Sequence, residues 1–153
     1  MKKILVIFVL IFWGISAQTQ ELKPGQLNLA GYETNVWGSY TISHMIFPNE
    51  SWEFWIVIVP ISITKNKLIE IAKDFYLKHP QTRARFFNDS QYIQQYIDRD
   101  IFVNDSTGTE KEVPFPDVKW VQDHLLGNIN NRSSTYNRAW MLENRYGGKL
   151  SFL

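Results

Sequence analysis

The chain begins with an apolar block that gives way abruptly to polar residues. Lys2 and Lys3 precede an unbroken apolar run over residues 4–13, and small residues then lead into a polar stretch at 18–20. Positive charge, apolar run and small residues in this order are typical of a secretory signal peptide, and the run is too short for a membrane span, which needs about 20 residues. We therefore predict a leader at residues 1–17 that is cleaved to release a secreted or periplasmic protein.

Residues 18–36 mix polar residues, Pro and Gly with scattered apolar residues, a pattern that predicts a loosely ordered lead-in to one globular domain at 37–153. β-Branched and aromatic residues with partial alternation predict a first strand over 37–47. After a turn cluster at 48–51, the near-continuous apolar run over 52–59 predicts a strand that is buried on both faces.

The next segment has the spacing of an amphipathic helix that leads into another strand. Thr64 can cap this helix, and His79-Pro80 ends it, because the residue before a proline avoids the helical conformation. The apolar positions recur every three or four residues, at Leu68, Ile71, Ala72, Phe75 and Tyr76. A short strand over 83–87 follows, and the succession of strand, helix and strand predicts a βαβ unit with parallel strands.

The C-terminal half predicts two shorter helices and a hairpin. Apolar spacing favours a helix over about 90–99 and a third helix over 117–127, separated by a polar loop at 100–116. Apolar runs on either side of a turn at 144–148 predict a hairpin over 136–153. The predicted fold class is α+β, with one mixed sheet of four to five strands. This sheet contains the βαβ unit and the C-terminal hairpin, and two to three helices cover it mainly on one face.

Composition narrows the classes of function. The sixteen basic and fifteen acidic residues nearly balance, and the predicted leader removes two lysines, which leaves the mature chain with a net charge of −1. This charge argues against a general nucleic-acid binder, and no later apolar stretch is long enough for membrane insertion after cleavage. The absence of cysteine excludes thiol catalysis and thiolate metal sites, and no zinc motif or nucleotide-binding glycine loop is present, so no cofactor is expected.

Histidine offers the strongest candidate for catalysis. His124 lies in the third predicted helix, and a carboxylate from elsewhere in the chain, such as Glu143 or Asp117, could orient it for acid–base chemistry. A histidine at the surface or in a partner interface is the more common interpretation of such a position. His79 fits a helix end, and His44 fits a buried position on the first predicted strand.

Arginines supply the candidate binding site. Arg83 and Arg85 project from the same side of a short predicted strand, and Arg99 and Arg138 could join them in space. Clustered guanidinium groups bind carboxylates and phosphates bidentately, which suits an acidic small ligand or an acidic protein surface. The competing interpretation is a polar sheet face whose arginines pair with Asp and Glu at little net energy. The oxygen-rich residues 98–110 do not follow the order of a calcium loop, so no metal site is predicted.

These features together predict an exported small protein that binds a partner and has no catalytic activity of its own. Its partner would be a protein or an acidic small ligand, and the pattern gives no oligomeric state. The alternative function is a small hydrolase or lyase that uses His124 with a carboxylate. A third function, a small-ligand carrier, requires an apolar cavity lined by tryptophans, whereas tryptophans more commonly build the core.

Overall fold

The sheet is the centre of the molecule. A computed structural model describes residues 21–43, 51–101, 118–134, 137–146 and 149–152 of the chain. Seven strands form one mixed sheet in which each strand lies beside its neighbour in sequence. In chain order the elements are β1 (Gly25–Leu29), β2 (Tyr32–Ser43), β3 (Ser51–Ile58), α1 (Lys65–Lys78), β4 (Arg83–Phe87), α2 (Ile93–Ile101), α3 (Val118–His124), β5 (Leu125–Ser134), β6 (Asn137–Asn144) and β7 (Lys149–Phe152). Within the described part of the chain, no helix is both long and apolar enough to cross a membrane.

The α+β class and the single mixed sheet are confirmed, but the sheet is larger than the four to five strands predicted. Neighbouring strands are antiparallel except β3 and β4, which are parallel and are connected by α1. The additional strands come from two places. β1 and the start of β2 use residues 18–36, and β5 begins directly after α3, where apolar spacing predicts helix up to residue 127.

A tight turn between β1 and β2 explains why residues 18–36 form strands. Ala30 and Gly31 both have positive φ angles, 51° and 80°, which is the conformation of a two-residue type I′ hairpin. The Gly31 N–H donates to the Asn28 side-chain oxygen at 3.1 Å, which secures the turn. Thr34 and Val36 are then buried while their neighbours are exposed, so the hairpin fixes the register of β2 against the core.

Helices cover both faces of the sheet, which corrects the prediction that they lie mainly on one face. Successive residues of a strand point to opposite faces. Val57 of β3 and Phe86 of β4 pack with α1, whereas Ile56 and Phe87 pack with α2 and α3. The physical reason lies in β3, whose uninterrupted apolar run presents an apolar surface on each face, and each surface needs its own cover.

Helix α1 forms where its apolar spacing predicts it. The helix begins after Thr64, whose side chain accepts the Lys67 N–H, and it ends at His79. Its buried residues are Leu68, Ile71, Ala72 and Phe75. Beyond the helix, the chain turns at Gln81, a non-glycine residue with a φ of 59°, and enters β4. This left-handed residue directs the chain away from the line of β4 and toward α1.

Strand β4 is shorter than the two strands beside it. It pairs with β3 only from Phe54 onward, and with β5 only from Leu125 to Ile129. The backbone of residues 51–53 in β3 and of residues 130–134 in β5 therefore continues beyond the first residue of β4, and no other strand of the described residues lies between them. We call this gap, bounded by 51–53, 130–134 and Arg83, the β4 notch.

Candidate functional site

Arg83 and Arg85 share one face of β4. Ala84 and Phe86 are fully buried toward α1, so the two arginines between and before them point to the opposite face, on which α2 and α3 lie. Both arginine side chains are half-buried. The structure therefore brings these two predicted residues together, one on each side of Ala84.

Aromatic rings from three elements hold the guanidinium group of Arg85. Its central carbon lies 4.8 Å from the ring centre of Phe54, 5.3 Å from that of Tyr40 and 5.4 Å from that of Tyr96. The guanidinium group also donates a hydrogen bond to the Tyr96 hydroxyl. Each cation–π contact contributes about 0.5–2 kcal/mol, depending on its desolvation. The rings therefore position this positive charge before any ligand arrives.

A cavity of about 270 Å³ lies beside Arg85. Asn128, which is the backbone partner of Arg85 across the β4–β5 pair, provides an amide to its wall. Its lining combines these polar groups with apolar ones: Phe54, Arg85, Tyr96, Val121, Leu125, Asn128 and Asn130. A guanidinium group and two amides around a small cavity can bind a carboxylate or a phosphate through several N–H donors.

Arg83 occupies the β4 notch. Its guanidinium carbon lies 5.5 Å from the ring centre of Trp52 and 5.3 Å from that of Trp140. Trp52 packs with the cluster under α2 and α3, whereas Trp140 packs against Tyr76 of α1, with 6.0 Å between the ring centres. Contact with rings from both faces of the sheet is possible because β4 ends at Arg83 and leaves an opening.

Side chains of β5 take over hydrogen bonds beside the notch. The Asn130 Oδ1 atom accepts from Arg83 Nε at 3.0 Å and from the backbone N–H of Asn131 at 2.8 Å. The Oδ1 atom of Asn131 is buried and has no hydrogen-bond partner. A backbone donor of β5 is thus satisfied by a side chain rather than by a strand, and an acceptor stays available next to it.

A second and larger cavity, of about 650 Å³, opens at the same end of β4. Gln81, Thr82 and Arg83 form one side of it, and the side chain of Trp55 lies on another. Its complete lining is Glu21, Leu22, Glu53, Trp55, His79, Pro80, Gln81, Thr82 and Arg83. Arg83 therefore connects a large cavity at the notch with Asn130, which lines the smaller cavity on the sheet face.

The other predicted arginines are not assembled with this pair. Arg99 lies in α2, and Arg138 lies in β6 with Ser133 as its backbone partner, but the side chains of both lie outside the described residues. Arg145 lies elsewhere, because its guanidinium group donates to the backbone oxygen of Asp123 and ties the end of β6 to α3. The described part of the binding site consequently rests on Arg83 and Arg85.

His124 lies in a separate polar cluster between α3 and the turn after β4. Its Nδ1 atom is 2.9 Å from Asn88 Oδ1, and its Nε2 atom is 3.8 Å from Asp89 Oδ2. Asp89 also accepts the indole N–H of Trp120 at 2.9 Å. This hydrogen bond is the main cause that lowers the pKa of Asp89, with smaller contributions from backbone N–H groups and from His124.

The carboxylate near His124 is therefore not one of the two that the sequence suggested. Glu143 lies in β6 as the backbone partner of Asn128, and Asp117 lies outside the described residues, as do His44 and most of the loop at 100–116. His79 is buried and its ring packs against Phe75, with 5.2 Å between ring centres. None of the cavities described above is lined by His124.

The residues that complete the arginine site come from distant parts of the chain. Five aromatic rings, from β2, β3, β6 and α2, surround the two guanidinium groups, and the amides come from β5. The alternation of arginines with apolar residues in β4 was the only local signal for this site. Among the described residues, no group of three or more His, Asp or Glu side chains could hold a metal ion. A comparison with protein-family models, with curated proteins and with solved structures finds no match to this chain.

Proposed function

We propose that this chain is an exported, non-catalytic binding protein, and that Arg83 and Arg85 receive an anionic group of its ligand. The observation that carries the proposal is the aromatic support of both guanidinium groups next to cavities. Export rests on the predicted leader at residues 1–17. The ligand would be an acidic small molecule or an acidic segment of a protein.

Pre-positioning is what separates this pair from ordinary surface arginines. A flexible arginine loses rotamer entropy when it binds an anion, at a cost of about 0.5–1.5 kcal/mol per side chain. The rings around Arg83 and Arg85 reduce that cost, because they hold the planar groups before binding. Partial burial also reduces screening by water and salt, which strengthens the attraction for a carboxylate or phosphate.

Titration calorimetry of the purified protein with citrate and with inorganic phosphate, at low ionic strength, tests this proposal. We expect binding by the wild type and at least a tenfold weaker affinity in Arg83→Gln and in Arg85→Gln. Lys73→Gln is the matched control, because it removes one positive charge from an exposed position on α1. Equal weakening in the control would reduce the effect to net charge, and unchanged affinity in both arginine variants would refute the site.

The alternative function, a small hydrolase or lyase, would use His124 with Asp89. The carboxylate of Asp89 is close to the imidazole, at 3.8 Å, which is the observation in its favour. The contact of Nδ1 with Asn88 and the packing of the ring against Trp120, with 5.2 Å between ring centres, support a structural role for this histidine instead. A carrier of apolar ligands is less well supported, since Arg83 or Arg85 lines each cavity at the site and Trp120 packs within the core.

A further inference from the structure

We infer that the β4 notch binds the carboxyl-terminal residues of an extended polypeptide, with the terminal carboxylate placed against Arg83. The inference rests on the proposed function, because it requires that Arg83 receives an anion, and it goes further by naming the class of ligand. Three features of the notch carry it: its width, the backbone along its two sides, and the position of the positive charge at its inner end.

The notch has the width of one strand. Neighbouring strands in a sheet are about 4.8 Å apart, so β3 and β5, which flank β4, are about 9.5 Å apart where β4 is absent. Residues 51–53 of β3 and 130–134 of β5 run along the two sides of this space. An extended segment lying in line with β4 can therefore form hydrogen bonds with both neighbours, which is the recognition mode known as strand addition.

The length of the notch sets the length of the segment. β3 continues for three residues beyond the position that pairs with Arg83, and a strand rises about 3.3 Å per residue, so the notch holds about three residues. The turn at Gln81 leads the protein's own chain away from this line. The buried, unpartnered Oδ1 atom of Asn131 supplies an acceptor for a backbone N–H of the added segment.

The charge of Arg83 selects the direction of the segment. A peptide that runs in the same direction as β4 places its carboxyl terminus at Arg83, whereas the opposite direction places a positively charged amino terminus there. The guanidinium group, held between Trp52 and Trp140, attracts a terminal carboxylate and repels an ammonium group. Side chains on the α1 side of the segment would enter the 650 Å³ cavity that Trp55 and Thr82 line.

The experiment compares two peptide pools that differ only at their ends. Each pool carries a fluorescent Gly-Ser linker followed by three randomised residues, and one pool ends in a free carboxylate while the other ends in an amide. We expect individual free-acid peptides to bind the purified protein, and we expect their amides to bind at least tenfold more weakly. Amide hydrogen exchange should slow at residues 51–53 and 130–134 when a free-acid peptide binds, which a surface ion pair alone would not produce.

Variants separate the failure of this inference from the failure of the proposed function. Arg83→Gln should abolish the preference for free-acid peptides, Arg83→Lys should keep part of it, and Lys73→Gln should not change it. Equal affinity for acids and amides would overturn the inference. Citrate binding that depends on Arg83, without any peptide binding, would overturn the inference while the proposed function stands. The absence of both would refute both.

Discussion

The support that aromatic rings give to Arg85 can be measured as a coupling energy. Phe54 is the nearest ring, with its centre 4.8 Å from the guanidinium carbon, and it is 4% exposed. Arg85→Met keeps most of the side-chain volume and removes the charge, while Phe54→Leu removes the ring and keeps an apolar side chain. Because Arg85 is only half-buried, we expect a cation–π contribution of about 1 kcal/mol, between the values of exposed and desolvated pairs.

Urea denaturation of the wild type, both single variants and the double variant gives this coupling directly. The cycle isolates the pair because it cancels the packing that Phe54→Leu loses elsewhere, including its contact with Arg83. The control cycle pairs Phe54→Leu with Arg145→Met, whose guanidinium group bonds to α3, and we expect a coupling below about 0.5 kcal/mol there. A coupling for Arg85 that is no larger than in the control would refute the claim that the ring positions the charge.

Three further predictions concern stability and processing. Gly127→Ala should destabilise the fold by about 1–3 kcal/mol in urea, because a Cβ atom there would lie 2.7 Å from the backbone oxygen of Glu143, whereas Gly38→Ala, which meets nothing within 4 Å, serves as the control. Asp89 has a lowered pKa in the folded protein, so its stabilising contribution is present above the unfolded value of about 3.9 and is lost as pH falls through the folded value. Asp89→Asn should therefore show a shallower loss of thermal stability on acidification than the wild type, and parallel acid limbs would contradict this assignment. Amino-terminal sequencing of the exported protein should begin at Gln18, and an intact Met1 in the exported fraction would disprove the leader.

Local pattern was sufficient for α1 and insufficient for β5. The buried positions of α1 follow from spacing alone, because one helix turn brings every third or fourth residue to the same side. β5 contains four asparagine or arginine residues in its run NINNR, which have low or moderate strand propensity, and its stability comes from pairing with β4 and β6. The paired apolar residues at its start fit a helix equally well over such a short distance, so the sequence could not distinguish the two.

The arginine site shows what kind of information a single sequence lacks. That Arg83 and Arg85 share a face follows from strand alternation, which acts over two residues. That Arg83 lies at an opening in the sheet follows instead from unequal strand lengths, and those depend on the turn at Gln81 and on the pairing of β3 and β5 with other strands. The same two residues would be an ordinary polar patch if β4 extended as far as its neighbours, because no gap would place Arg83 between rings of opposite faces. The binding role therefore depends on where β4 stops, and lengthening β4 by straightening the chain at Gln81 would remove the notch without changing either arginine.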